Sequence, residues 1–137
     1  MHASRDDAEP VHALHGLLAE WKKLTQSEFD HIQASDWNEL EQVQKKKIQL
    51  QRSIEKMEKA FSESKTLPAE QKAKERKRLT HIAAELLVLE KKNEVVLSER
   101  IADADRQLKS SNKTIQGLRH LQKAYGAGRA SFWQAYS

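Results

Sequence analysis

From Leu40 to Phe61 the chain places Leu40, Val43, Lys47, Leu50, Ile54, Met57 and Phe61 at alternating intervals of three and four. A strand would scatter these positions over both of its faces, whereas an α-helix gathers them into one stripe. The segment is therefore a helix that needs other helices against its seam, and Lys47 is the polar residue within it. Glu41 with Lys45, and Glu55 with Lys59, stand four apart in the order that supports a helix.

The flanking sequence extends this pattern into an all-α chain, an elongated antiparallel bundle or coiled coil of three main helices in a single domain spanning 1–137. Residues 1–10 read as a loose lead-in. A first helix over 11–34 carries Val11, Leu14, Leu18, Trp21, Leu24, Phe29 and Ile32 at helical spacing. Ala34-Ser35-Asp36-Trp37 breaks it, and Asp36 with Glu39 has the spacing of a capping box for a second helix over 36–65. A sharp reversal at Asp36 is favoured over a kink. Pro68 suits the restart of a third helix over 68–125. Its seam runs Leu79, Ile82, Leu86, Leu89, Asn93, Val96, slips by one residue, and continues Leu97, Ile101, Ala104, Leu108, Ser111, Ile115, Leu118 to Tyr125. Leu79 to Tyr125 is 47 residues, about 70 Å of helix and about twice the length of either other helix. Helices one and two cannot cover it all. Gly126 and Gly128 end it, and an aromatic tail, 126–137, holds Phe132, Trp133 and Tyr136.

Composition narrows the function classes. The chain is 38% hydrophobic and 32% charged, enough for a thin seam between helices and too little for a thick core. It has no cysteine, which excludes disulfides, thiolate metal sites and cysteine nucleophiles. No run of eighteen apolar residues exists to insert into a membrane. The first thirty residues lack a basic segment followed by an apolar one, so a cytoplasmic address is expected. Residues 1–36 carry three basic and seven acidic side chains, the rest 21 basic and 13 acidic, a polarity that favours packing of the first segment on the later ones.

Catalytic and metal chemistry find little to use. His12 and His15 share a helix face, but further ligands do not converge on them. The acidic residues alternate with lysines as on a solvated face, without the desolvated pocket that acid–base work requires. No enzyme activity, metal or cofactor is expected. Lys45-Lys46-Lys47 and the run Lys72-Ala73-Lys74-Glu75-Arg76-Lys77-Arg78 suggest phosphate contacts. The second run surrounds its helix, however, and no aromatic residue interleaves to stack a base, so nucleic acid is not expected as a partner. Asn93 on the seam reads as a register-fixing polar position. The tail aromatics have three open fates: folding back on the bundle, anchoring a partner, or disorder.

Between Trp21 and Glu58 the chain holds Leu24-Thr25, Glu28, Ala34-Ser35-Asp36-Trp37, Leu40, Lys46 or Lys47, Leu50 and Ile54. Later come Asn93, Leu97, Arg100, Leu118, Leu121 and Tyr125-Gly126-Ala127-Gly128-Arg129. In this order the residues resemble flagellar type III export chaperones of the FlgN type, and more loosely their FliT-type relatives, over residues 14–129. The resemblance implies a cytosolic chaperone that binds hook–filament junction proteins through its carboxy-terminal helix. It also implies docking on the cytoplasmic domain of the export gate, with Tyr125 as a contact. Phe132, Trp133 and Tyr136 have no counterpart in that pattern.

The residues themselves point to the same kind of partner. The uncovered half of the third helix, with Ile101, Leu108, Ile115 and Leu118 on one face, is expected to bind an amphipathic helix. Two other classes remain: a coiled-coil stalk component of a secretion apparatus, which the break at Asp36 disfavours, and a basic helical nucleic-acid binder. The seam leaves open whether the third helix bends, and how many copies assemble.

Overall fold

The protein is represented by a computed structural model that describes residues 2–107, 112–125, 127–134 and 136. Among the described residues five helices follow one another: α1 (His2–Gln33), α2 (Trp37–Glu63), α3 (Ala69–Gln107), α4 (Asn112–Lys123) and α5 (Ala127–Gln134). Among the described residues there is no strand, and the fold is all-α. No helix among them is long and apolar enough to cross a membrane.

The first reversal is built by backbone geometry. The Asp36 N–H donates to His31 O at 2.8 Å and the Ser35 N–H to Ile32 O at 3.1 Å. Ser35 has φ 56°. This is the paired-bond ending of a helix that closes through one left-handed residue, here a serine in place of the usual glycine. Asp36 precedes α2 as expected, but its side chain makes no capping hydrogen bond. The carboxylate lies instead 3.5 Å from His31 Nδ1, so the expected capping box does not form.

Two further expectations are corrected. Residues 2–10 are helical, with Pro10 inside α1; the good helix formers Ala3, Arg5, Ala8 and Glu9 surround the single backbone bond that proline removes. The continuous helix over 68–125 is divided. α3 ends at Gln107 and α4 begins at Asn112, and α4 lies back against α3 instead of prolonging it.

α4 and α5 return along α3. Gln122 Nε2 donates to Ser98 Oγ at 2.7 Å, and further along the chain Arg129 pairs with Glu90, so the two strands of helix run antiparallel. α2 runs antiparallel to α1, and α3 parallel to α1, as His15 with Glu75 and Arg100 with Gln33 show. Two apolar clusters result. One joins Leu14, Leu18, Trp21, Ile54, Phe61, Leu79, Ala83, Leu86, Phe132 and Tyr136. The other joins Ile32, Leu40, Leu97, Ile101, Leu118, Leu121 and Tyr125. The tail aromatics thus fold back: the Phe132 and Trp133 rings lie 5.0 Å and 5.8 Å from that of Trp21.

Candidate functional site

Between the two apolar clusters lies a layer of buried polar side chains contributed by α1, α2, α3 and α5. The seam position Lys47 is fully buried. Its ammonium donates to Glu28 Oε1 at 2.6 Å and Thr25 Oγ1 at 2.8 Å, and also to Glu90. Thr25 in turn donates to Trp21 O at 2.8 Å. Arg129 spans the other sides of both carboxylates, pairing with Glu90 Oε2 and, at 3.4 Å, with Glu28 Oε2. Asn93 Nδ2 donates to Thr25 O at 2.9 Å, so the expected polar seam position ties α3 to α1. Two cations face two carboxylates, formally balanced.

Aromatic rings close this layer above and below. Lys47 Nζ stands 4.2 Å from the Trp21 ring centre, and the Arg129 guanidinium lies 5.3 Å from Trp21 and 4.9 Å from Tyr125. Cations in such positions gain from the ring quadrupole, most of all where water is excluded. Burial holds the pKa of Lys47 below its ordinary value; Glu28 and Glu90 pull it upward, while Arg129 adds to the lowering. For Arg129 burial acts in the same downward sense, but the two carboxylates outweigh it and the pKa is raised. Each cation is held by both carboxylates. The layer locks four elements in register and offers no open face for a reacting group.

The second apolar cluster is a helix-binding seat with its occupant in place. Leu118, Leu121 and Tyr125 of α4 and its terminal turn stand at i, i+3 and i+7 and pack with Ile32, Leu40, Leu97 and Ile101. Gln44 Nε2 donates to Leu121 O at 3.1 Å and ties the end of α4 to α2. Beside this contact a cleft of about 800 Å³ remains between α2 and α4, lined by Ile48, Lys45, Leu121 and Lys123 among others.

The expected open face is therefore corrected. Ile101 and Leu118 are buried together, Ile115 is half-buried, and Leu108 lies outside the described residues. The face is covered because α4, which was expected to prolong it, folds onto it. Tyr125, which the resemblance implies as a gate contact, is buried. The basic runs are partly structural: Lys47 is core, and Lys72 Nζ donates to Ser62 O at 2.8 Å and Ser64 O at 3.0 Å at the end of α2. His15 pairs with Glu75 at 3.3 Å.

Sequence reasoning marked Lys47, Asn93, Thr25, Glu28 and Arg129 singly but missed that they meet. Glu90 escaped notice altogether. Its position one turn from Leu86, among Leu79, Ala83, Leu86, Asn93 and Leu97, was the available signal. Comparison with protein-family models, with curated proteins and with solved structures finds no match.

Proposed function

We propose that the chain is a cytoplasmic export chaperone of the FlgN type. It shields amphipathic terminal helices of hook–filament junction proteins and delivers them to the cytoplasmic domain of the type III export gate. The observation that carries this proposal is the seat formed by Ile32, Leu40, Leu97 and Ile101, which already holds an amphipathic helix through Leu118, Leu121 and Tyr125. Helix-in-groove recognition uses this spacing of apolar anchors. An export substrate's terminal helix offers the same chemistry, so in the proposed cycle it takes the seat when α4 leaves. Ile115 and Leu118 then belong to the segment that yields, and Ile101 to the floor that receives. Tyr125 becomes available to the gate only in that released state.

Further support comes from the residues on which the resemblance rests. Thr25, Glu28, Lys47, Asn93, Tyr125 and Arg129 are spread over more than a hundred positions, yet all belong to one buried layer and its aromatic cover. That layer explains why a helix seam tolerates Lys47, since the charge is matched on every side. It fixes the register of α1 to α3, the frame on which the seat depends.

Calorimetric titration with synthetic carboxy-terminal helices of hook–filament junction proteins tests the proposal. Leu118→Ser with Leu121→Ser weakens the cis occupant and should tighten binding roughly tenfold for each ~1.4 kcal/mol lost from α4 docking. No binding by either the parent chain or the double variant would refute it.

A further inference from the structure

Toward the opposite end of the bundle from α4, a groove of about 520 Å³ opens between α1 and α3. It is lined by His15, Lys74, Lys77, Arg78, His81 and Ile82. Lys74, Lys77, Arg78 and His81 are exposed, and Ile82 is half-buried. The basic run that begins α3 is sorted by the helix into two groups. Lys72 and Arg76 turn toward α2, where they meet the Ser62 and Ser64 carbonyls and the Glu58 carboxylate. Lys74, Lys77 and Arg78 turn toward the groove.

Among the described residues, Glu75 and Glu85 pair with groups that line the groove. Glu75, with its side chain only 15% exposed, is held between His15 Nε2 at 3.3 Å and Arg78 Nη1 at 3.0 Å. Glu85 pairs with His81 at 3.4 Å. Among the described residues no carboxylate forms an ion pair with Lys74 or Lys77. The residues that line the groove thus carry positive charge around one aliphatic contact, Ile82.

We propose that this groove is a docking surface for an acidic peptide segment of a partner protein, with carboxylates on Lys74, Lys77 and Arg78 and an aliphatic side chain over Ile82. Charge complementarity selects the sign of the partner. The dimensions select its kind: Lys74 to Ile82 spans about 12 Å of helix, the reach of a short peptide. No aromatic residue lines the groove to stack a base, and Ile82 offers nothing to a phosphate backbone. The surface is remote from the α4 seat, so the failure of either assignment leaves the other standing.

The test is fluorescence anisotropy of the full chain with a labelled synthetic peptide of alternating Glu-Glu-Leu units. A Lys-Lys-Leu peptide of the same length and a random single-stranded oligonucleotide serve as comparisons. The acidic peptide should bind, and Lys74→Gln with Lys77→Gln and Arg78→Gln should weaken it about tenfold or more, with an unchanged circular dichroism spectrum. Lys74→Arg with Lys77→Arg should retain binding. Lys74→Glu with Lys77→Glu should instead favour the basic peptide. Failure of the acidic peptide to bind, undiminished binding by the Gln variant, or displacement of the peptide by the oligonucleotide at lower concentration would each overturn the proposal.

Discussion

Arg129 and Glu90, 39 positions apart, form an ion pair at the centre of the bundle, with side chains 6% and 4% exposed. The pair attaches α5 to α3 where the two apolar clusters meet. Its energetic role follows from what surrounds it: both charges are out of water, and each has a second partner, Glu28 for Arg129 and Lys47 for Glu90. Loss of one member leaves a charge without its balance.

Arg129→Met should therefore destabilise the chain by about 3–5 kcal/mol, the usual cost of breaking a buried pair on one side. Replacing all four charges together, with Lys47→Met, Arg129→Met, Glu28→Leu and Glu90→Leu, should cost far less or even stabilise, because apolar side chains of similar volume avoid the desolvation altogether. Urea unfolding measures both. A single variant that loses less than about 1 kcal/mol would show that α5 is held by its aromatic residues alone.

The turn between α1 and α2 separates two neighbouring residues. Ser35 occupies the left-handed conformation at φ 56°, where a side chain costs on the order of 1 kcal/mol that glycine escapes. Ser35→Gly should raise stability by about that amount. Asp36 makes no capping bond, so Asp36→Ala should change stability by less than about 0.5 kcal/mol, below the ~1 kcal/mol of a working cap. Thermal melts of the two variants should move in the order Gly above parent, with Ala close to the parent.

Both tyrosines of the chain, Tyr125 and Tyr136, are buried. Burial first, then Glu28 beside Tyr125 and Glu58 beside Tyr136, raises each hydroxyl pKa well above its ordinary value. With folded values raised, the folded state keeps protons that the unfolded chain releases above about pH 10. The contribution is therefore fully present below that pH and is lost as pH rises toward the folded values. Tyrosinate absorbance should stay flat through pH 10 and then rise together with the loss of helical circular dichroism. A gradual rise centred near pH 10, with the helices intact, would place a tyrosine in solvent.

The elements differ in how plainly the sequence announces them. α2 is legible because every third or fourth residue from Leu40 to Phe61 faces the core, although Leu50 and Met57 are only partly buried. The division of α3 from α4 is not, because Leu108, Ser111, Ile115 and Leu118 continue the three-four spacing across it. Periodicity records which face is apolar and carries no information on whether the next turn lies ahead or folds back. Of the buried polar layer, Lys47 and Asn93 were visible as interruptions of apolar seams. Glu90 was hidden because Leu89 beside it fits the heptad better, yet Ala83 and Glu90 are buried whereas Ile82 and Leu89 are only partly so. Of the four residues expected on one open face, Ile101 lies in the floor of the α4 seat and Leu118 on its occupant.

That occupant can be fixed in place. Gln122 and Ser98 touch through their side chains at 2.7 Å, and the chain has no cysteine of its own. Gln122→Cys with Ser98→Cys therefore creates the only two thiols, and a short bis-maleimide joins them with α4 seated. The two positions lie at the edge of the seat, so neither substitution removes an apolar anchor. The uncrosslinked double variant should bind a hook–filament junction helix as the parent does, whereas the crosslinked protein should lose binding by at least about tenfold, since a substrate helix and α4 cannot share one face. Circular dichroism should be the same for both forms. If the crosslinked protein binds equally well, the substrate does not replace α4. The cleft between α2 and α4, where Ile48 is 52% exposed, would then be the face to substitute, and Ile48→Asp would separate that outcome from a failure to bind at all.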